Sequence, residues 1–166
     1  MECEMPQINS NMDEMRDIFE ETKTIAIIGC SPNSEKASNR VAVYLQNAGF
    51  KIIPVYPKED VILGEKVYRS LTDIPTDINV DMVDIFRNSN DAYGVTEDAI
   101  EIGAKVVWMQ LAIINEAAAE MAQNAGLEVV MDRCPKIEYS RLFGELGWSG
   151  INTGVISSKR RKVGRK

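Results

Sequence analysis

One local pattern occurs three times along this chain: a helix-compatible stretch closes on a glycine, and a short apolar run follows at once. The segments are Asn47-Ala48-Gly49-Phe50-Lys51-Ile52-Ile53-Pro54-Val55, Ile102-Gly103-Ala104-Lys105-Val106-Val107-Trp108-Met109 and Asn124-Ala125-Gly126-Leu127-Glu128-Val129-Val130-Met131. The glycine supplies the left-handed residue that ends a helix before a tight turn into a strand. The runs that follow are almost continuously apolar, as strands are when helices cover both faces of their sheet. Few architectures accommodate that pattern; right-handed βαβ units in a parallel sheet do.

The rest of the chain fits the same plan. An apolar run over residues 24–28 precedes the first of these segments, and a further strand is expected over residues 80–86. Val41, Tyr44, Leu45 and Ala48 share one face of a helix that starts near Ser38 or Asn39. A helix is expected over residues 92–102, and Asn115 is a fitting N-cap for an alanine-rich helix over 116–124. Met12, Met15, Ile18 and Phe19 form an apolar stripe on an N-terminal helix that should pack on the domain. The expected class is therefore α/β, a doubly wound, mostly parallel sheet of five strands in the order 3-2-1-4-5. Residues 1–22 read as a helical extension, 23–158 as the domain, and 159–166 as a basic, solvated tail.

Composition narrows the chemistry. The chain of 166 residues is 45% apolar and 27% charged, values of an ordinary globular domain. No stretch approaches the roughly 20 apolar residues of a membrane span, and the acidic start Met1-Glu2-Cys3-Glu4-Met5 lacks a secretory core, so a cytoplasmic protein is expected. There is no histidine. That removes the usual zinc sites, Ser-His-Asp and Cys-His catalysis and a phosphohistidine intermediate. Six of the 19 basic residues (Lys159, Arg160, Arg161, Lys162, Arg165 and Lys166) crowd the last eight positions, leaving 13 against 25 acidic ones. A body this acidic argues against a nucleic-acid surface, although the tail could meet an anionic partner.

In an open α/β sheet, ligands bind beyond the carboxyl ends of the strands. The first strand runs into Gly29-Cys30-Ser31-Pro32-Asn33-Ser34, followed by Lys36 and Arg40 on the way into a helix. Backbone amides at a helix N-terminus, the hydroxyls of Ser31 and Ser34 and the nearby cations suit a phosphate; a plain surface loop is the alternative. The loop lacks the G-x-G-x-x-G of ordinary dinucleotide sites. At the second strand's end, Tyr56-Pro57-Lys58 puts a lysine where NAD proteins carry an acidic residue for the ribose. A lysine suits a phosphorylated ribose, as in NADP or coenzyme A, while Glu59 and Asp60 beside it leave open a plain charge cluster.

Gly29-Cys30-Ser31-Pro32, Pro54-Val55-Tyr56-Pro57-Lys58, Val83-Asp84-Ile85-Phe86-Arg87, Val106-Val107-Trp108-Met109-Gln110 and Val130-Met131-Asp132-Arg133-Cys134-Pro135-Lys136, in this order, resemble the small stand-alone CoA-binding proteins of bacteria and archaea. These are relatives of the CoA-binding domain of succinyl-CoA synthetase. The resemblance spans about residues 20–158 and includes Gly154-Val155-Ile156-Ser157-Ser158. It implies a Rossmann-like domain with coenzyme A or an acyl-CoA across the strand ends. Residues 29–34 would meet the diphosphate and Lys58 the 3′-phosphorylated ribose. Met109 and Gln110 would lie near the adenine or pantetheine, with Arg87 nearby; Tyr56 stands where family members often carry Asn. Asp132-Arg133-Cys134 is a hallmark to which the resemblance assigns no role.

Cys30 and Cys134 both belong at the ligand edge. A thiol there can have a lowered pKa and a redox role; buried packing is the blander expectation. Asp132 and Arg133 could serve as an acid–base pair, but a structural ion pair ordering their loop is expected. Trp108 and Trp148 are expected as core or interface aromatics, and Tyr139 and Arg141 on a helix after the fifth strand. The functional expectation is a CoA-binding module without catalysis, acting as a sensor or regulator, alone or with a protein partner. The synthetase's phosphohistidine route is closed to a chain without histidine. The alternatives are an NADP-dependent oxidoreductase or other nucleotide-binding module, and an interaction protein working through the basic tail.

Overall fold

The structure is a computed structural model that describes residues 12–144. The basic tail, Trp148 and residues 154–158 lie outside the described residues. In chain order the elements are α1 (Met12–Glu21), β1 (Thr24–Ile28), α2 (Ala37–Asn47), β2 (Lys51–Val55), β3 (Val61–Ile62), β4 (Glu65–Lys66), a short 3-10 turn (Leu71–Asp73), β5 (Met82–Ile85), α3 (Ala92–Glu101), β6 (Val106–Met109), α4 (Glu116–Asn124), β7 (Glu128–Val130) and α5 (Pro135–Phe143).

Five strands form one parallel sheet in the order β2-β1-β5-β6-β7. Counting only these strands along the chain, the order is 2-1-3-4-5, which corrects the expected 3-2-1-4-5. Pro54 supplies the reason. Its carbonyl accepts from the Tyr68 amide at 3.1 Å on the outer side of β2, and proline has no N–H with which to continue a ladder there. A strand with proline on its outer side is an edge strand. The small antiparallel hairpin of β3 and β4 and a single parallel bridge between Val55 and Tyr68 occupy that edge instead. The next long strand, β5, therefore pairs on the far side of β1.

This order puts α1, α2 and α5 over one face and α3 and α4 over the other. Ile25 and Ile27 of β1 join the first core, with Leu45, Trp108 and Tyr139. Ala26 and Ile28 join the second, with Ala99, Ala118, Ala119 and Ala122. The small side chains on α3 and α4 let both helices lie close to the sheet. Phe19 anchors α1, its ring 5.3 Å from both Trp108 and Tyr139. Met15 and Ile18 are buried beside it, whereas Met12, at the head of the predicted stripe, is exposed.

Local expectations hold well. Gly49, Gly103 and Gly126, which end the three helix-to-strand segments, all have positive φ. Asn115 caps α4, its Oδ1 accepting from the Ala118 amide at 2.9 Å. Tyr139 and Arg141 lie on α5. Among the described residues, no helix is long and apolar enough to cross a membrane.

Candidate functional site

The sheet's switch point falls between β1 and β5, because the helices after these two strands leave toward opposite faces. Gly29 follows β1 with φ +80°, and a Cβ there would come within 2.8 Å of the Phe86 carbonyl. Only glycine allows the two strand ends to pass this closely. Hydrogen bonds fix the end of β1 on both sides: the Gly29 amide donates to the Val55 carbonyl of β2, and the Phe86 amide after β5 donates to the Ile28 carbonyl, each at 2.9 Å.

The loop after Gly29 is shaped by its own side chains. Ser38 Oγ accepts from the Ser31 amide at 3.0 Å, and Asn39 Nδ2 donates to the Ser31 carbonyl at 2.9 Å. Ser31 Oγ accepts from the Asn33 amide, and Asn33 Oδ1 from the Glu35 amide. With Ser31 Oγ engaged as an acceptor, its hydroxyl hydrogen is still available to donate, and Pro32, Asn33 and Ser34 stand exposed. Arg40 turns back onto the loop, Nη2 donating to the Glu35 carbonyl at 2.7 Å. At the start of α2 no side chain caps the helix, which leaves first-turn amides available to an anion.

On the α3 side of the switch point lies a cavity of about 420 Å³. Ile28, Val55, Leu71 and Val95 give it an apolar floor; Arg69 and Arg87 face it together with Glu97 and Asp98. Of the residues predicted for the site, Arg87 alone lines this cavity, while the loop from Gly29 begins at its floor residue Ile28. Tyr56 is half-buried and Lys58 exposed. Their loop bends around Arg69, whose Nη1 donates to the carbonyls of Tyr56, Lys58 and Glu59. Arg69 belongs to none of the sequence motifs. Its only signal is that it follows a strand-like segment, and nothing local says which loop it will hold.

Met109 and Gln110 sit elsewhere. Met109 is fully buried in the α3/α4 core. The Gln110 amide is spent on Asp84, Nε2 donating to Oδ1 at 2.9 Å and Oδ2 at 3.1 Å. Asp84 is in register with Ile27 and Trp108, so its carboxyl faces the α1/α2/α5 side and is wholly buried. Burial raises its pKa from 3.8 to about 8, against the opposing hydrogen bond from Gln110. The carboxyl is therefore mostly neutral at pH 7.

The two thiols are buried, as the blander expectation had it. Burial, and then the charge of Asp84, pushes Cys30 up to about 12. Burial also raises Cys134, outweighing hydrogen bonds from the Ile137 and Lys136 backbone at the start of α5. Proximity to a helix start thus does not activate either thiol, which corrects the lowered pKa considered from sequence.

Asp132 and Arg133 do not pair with each other. Asp132 Oδ1 accepts from the Ala112 amide at 2.6 Å, whereas Arg133 reaches Glu138 at 3.6 Å. The Arg133 carbonyl accepts from Trp108 Nε1 at 2.8 Å. Their role in ordering the strand-end loop stands, but through separate partners. The β6–α4 loop is held a second time by Ser89, whose Oγ accepts from the Ile114 amide at 3.1 Å and whose carbonyl accepts from Asn115 Nδ2 at 2.8 Å.

Comparison with known proteins agrees with this fold. A family model described as "CoA binding domain" matches residues 23–140. The uncharacterised protein YneT of Bacillus subtilis is 37% identical over 132 residues, 80% of this chain and 96% of its own length. A solved structure of a hypothetical protein from Pyrococcus horikoshii OT3 superposes with a TM-score of 0.79 at 38% identity, covering 87% of this chain and 100% of that one. The ADP-forming acetate–CoA ligase II of Archaeoglobus fulgidus is 32% identical over 159 residues, 93% of this chain but 23% of the ligase. With its switch point, its strand-end loops and its parallel sheet all inside the matched residues, the chain belongs to the CoA-binding domain family.

Proposed function

We propose that this protein binds coenzyme A or an acyl-CoA across the carboxyl ends of β1, β2 and β5, and that it holds the ligand as a sensing or regulatory module without turning it over. The observation that carries this reading is the close passage of Gly29 against Phe86. It brings a loop whose hydroxyls can still donate and an uncapped helix start beside a cavity of about 420 Å³. Main-chain donors and the α2 dipole suit a diphosphate. The apolar floor of the cavity suits an adenine, and Glu97 and Asp98 can accept from its amino group or from a ribose hydroxyl. Arg87 and Lys58 add the positive charge that a 3′-phosphate needs.

Met109 and Gln110 contribute through the core and through Asp84 rather than by touching the ligand. The absence of histidine from the chain fits binding without phosphoryl transfer.

Thermal unfolding with matched concentrations of CoA, acetyl-CoA, dephospho-CoA and NADPH tests the reading. A ligand at 100 times its dissociation constant adds about 2.7 kcal/mol to stability. The expected result is a clear rise with CoA and a smaller one with dephospho-CoA. No rise with millimolar CoA, or a rise with NADPH only, overturns the proposal.

A further inference from the structure

Arg69 makes most of its contacts to main chain. Its Nη1 donates to the carbonyl oxygens of Tyr56 and Lys58 at 3.0 Å each and of Glu59 at 2.7 Å. Nη2 lies 3.4 Å from Asp60 Oδ1, but that carboxylate is 99% exposed, so solvent screens the pair and it adds little. The carbonyl contacts are what shape the loop.

The loop needs such a hold. Glu59 has φ +63°, a left-handed conformation that non-glycine residues adopt only when their surroundings impose it. The base from which Arg69 reaches is itself fixed. The Val67 amide donates to the Asp60 carbonyl at 3.0 Å, the Tyr68 amide to the Pro54 carbonyl at 3.1 Å and the Tyr56 amide to the Tyr68 carbonyl at 3.0 Å. An arginine at the end of this segment arrives with its fork inside the bend that carries Lys58. The three carbonyls converge on the single nitrogen Nη1 and share its two hydrogens; a lysine ammonium, on a shorter and more flexible stem, does not reach the same point as readily.

We propose that Arg69 is a positioning residue for Lys58: by holding the carbonyls of Tyr56, Lys58 and Glu59 it fixes the loop that presents the lysine, and so sets the preference for a ligand with a phosphorylated ribose over one without. This rests on the CoA reading above. Nη1 is occupied by main-chain acceptors, so its hold on the loop reaches the phosphate through Lys58. Without the clamp, residues 56–60 must be ordered each time the phosphate binds, and that entropy is subtracted from affinity for the phosphorylated ligand alone.

Titration calorimetry with CoA and dephospho-CoA tests this on the wild-type protein and on the Arg69→Ala, Arg69→Lys, Lys58→Ala and Arg69→Ala/Lys58→Ala variants. The wild type is expected to prefer CoA by about tenfold or more. Lys58→Ala brings the two ligands close to parity. Arg69→Ala does the same, losing more affinity for CoA than for dephospho-CoA, and the double variant shows no further change in the ratio, as expected for two residues acting through one contact. Arg69→Lys restores at most part of the preference, and it carries the test if Arg69→Ala does not fold. A wild-type ratio in the Arg69 variants, or equal losses of both ligands, overturns the inference while leaving CoA binding intact. Failure of the wild type to bind either ligand overturns the CoA reading itself.

Discussion

The Asp132 carboxylate accepts a hydrogen bond from the Ala112 amide at 2.6 Å, and both residues are left-handed, with φ +55° and +66°. Two strained turns, one after β6 and one after β7, thus hold each other in place across the edge of the sheet. This is a physical role for the Asp132-Arg133-Cys134 hallmark: it joins neighbouring strand-end loops. Replacing Asp132 with Ala removes the acceptor but leaves the strain, and a loss of about 1 kcal/mol in stability is expected. Asp132→Asn keeps an acceptor oxygen and should retain most of the stability. Urea unfolding of the two variants checks this; equal losses would show that the carboxylate's bond is not what matters.

Gly29→Ala should be costly for two reasons that act together. The backbone has φ +80°, and the new Cβ would sit 2.8 Å from the Phe86 carbonyl, a main-chain atom with no freedom to swing away. A loss of about 1–3 kcal/mol is expected, together with a weaker thermal response to CoA. A variant with wild-type stability and response would mean that the β1 and β5 ends do not need this approach.

Asp84 predicts a specific pH dependence. Its folded pKa of about 8 lies above the ordinary 3.8, so the native state holds a proton that the unfolded chain has already released. The stability this proton confers is complete below about 3.8 and is lost as pH rises toward about 8, levelling off above. Asp84→Asn removes the titration. The groups facing this carboxyl are Gln110 from the end of β6 and the thiols of Cys30 and Cys134, and both thiols are uncharged through that range. The melting temperature of Asp84→Asn relative to wild type should therefore rise between pH 5 and pH 8. A constant difference across that range would exclude a buried proton at Asp84.

Cys30 and Cys134 should react with a thiol reagent at neutral pH only when the protein unfolds, since burial both covers them and raises their pKa. Labelling in a Cys3→Ser background, native and in urea, measures this. Rapid native labelling of either residue would reopen the redox reading.

Much of the fold was legible because its signals are short in range. A glycine after a helix, an asparagine three residues before the amide it caps, and an apolar run between them act on their immediate neighbours. That is why the glycine turns, the Asn115 cap and the α4 boundaries are where the sequence puts them. The strand order was also encoded, in Pro54, but its meaning depends on which edge of β2 it faces.

The site was less legible. Gly29, the following loop and Arg87 lie at the strand ends where the sequence puts them, whereas Met109 and Gln110 are turned into the core. Whether a residue at a strand end looks into solvent or into the core depends on the twist and on its neighbour in the sheet, and Gln110 found Asp84 there.

By itself the sequence determined the main helices and strands and the parallel α/β class, because periodicity, glycine placement and chain continuity act over a few residues. Only the tertiary structure decided that β5 lies beside β1, that Asp84 is closed off with Gln110, and that Arg69 holds the loop of Lys58. Those partners are brought together by burying both faces of the sheet at once, a condition that no short segment can satisfy alone.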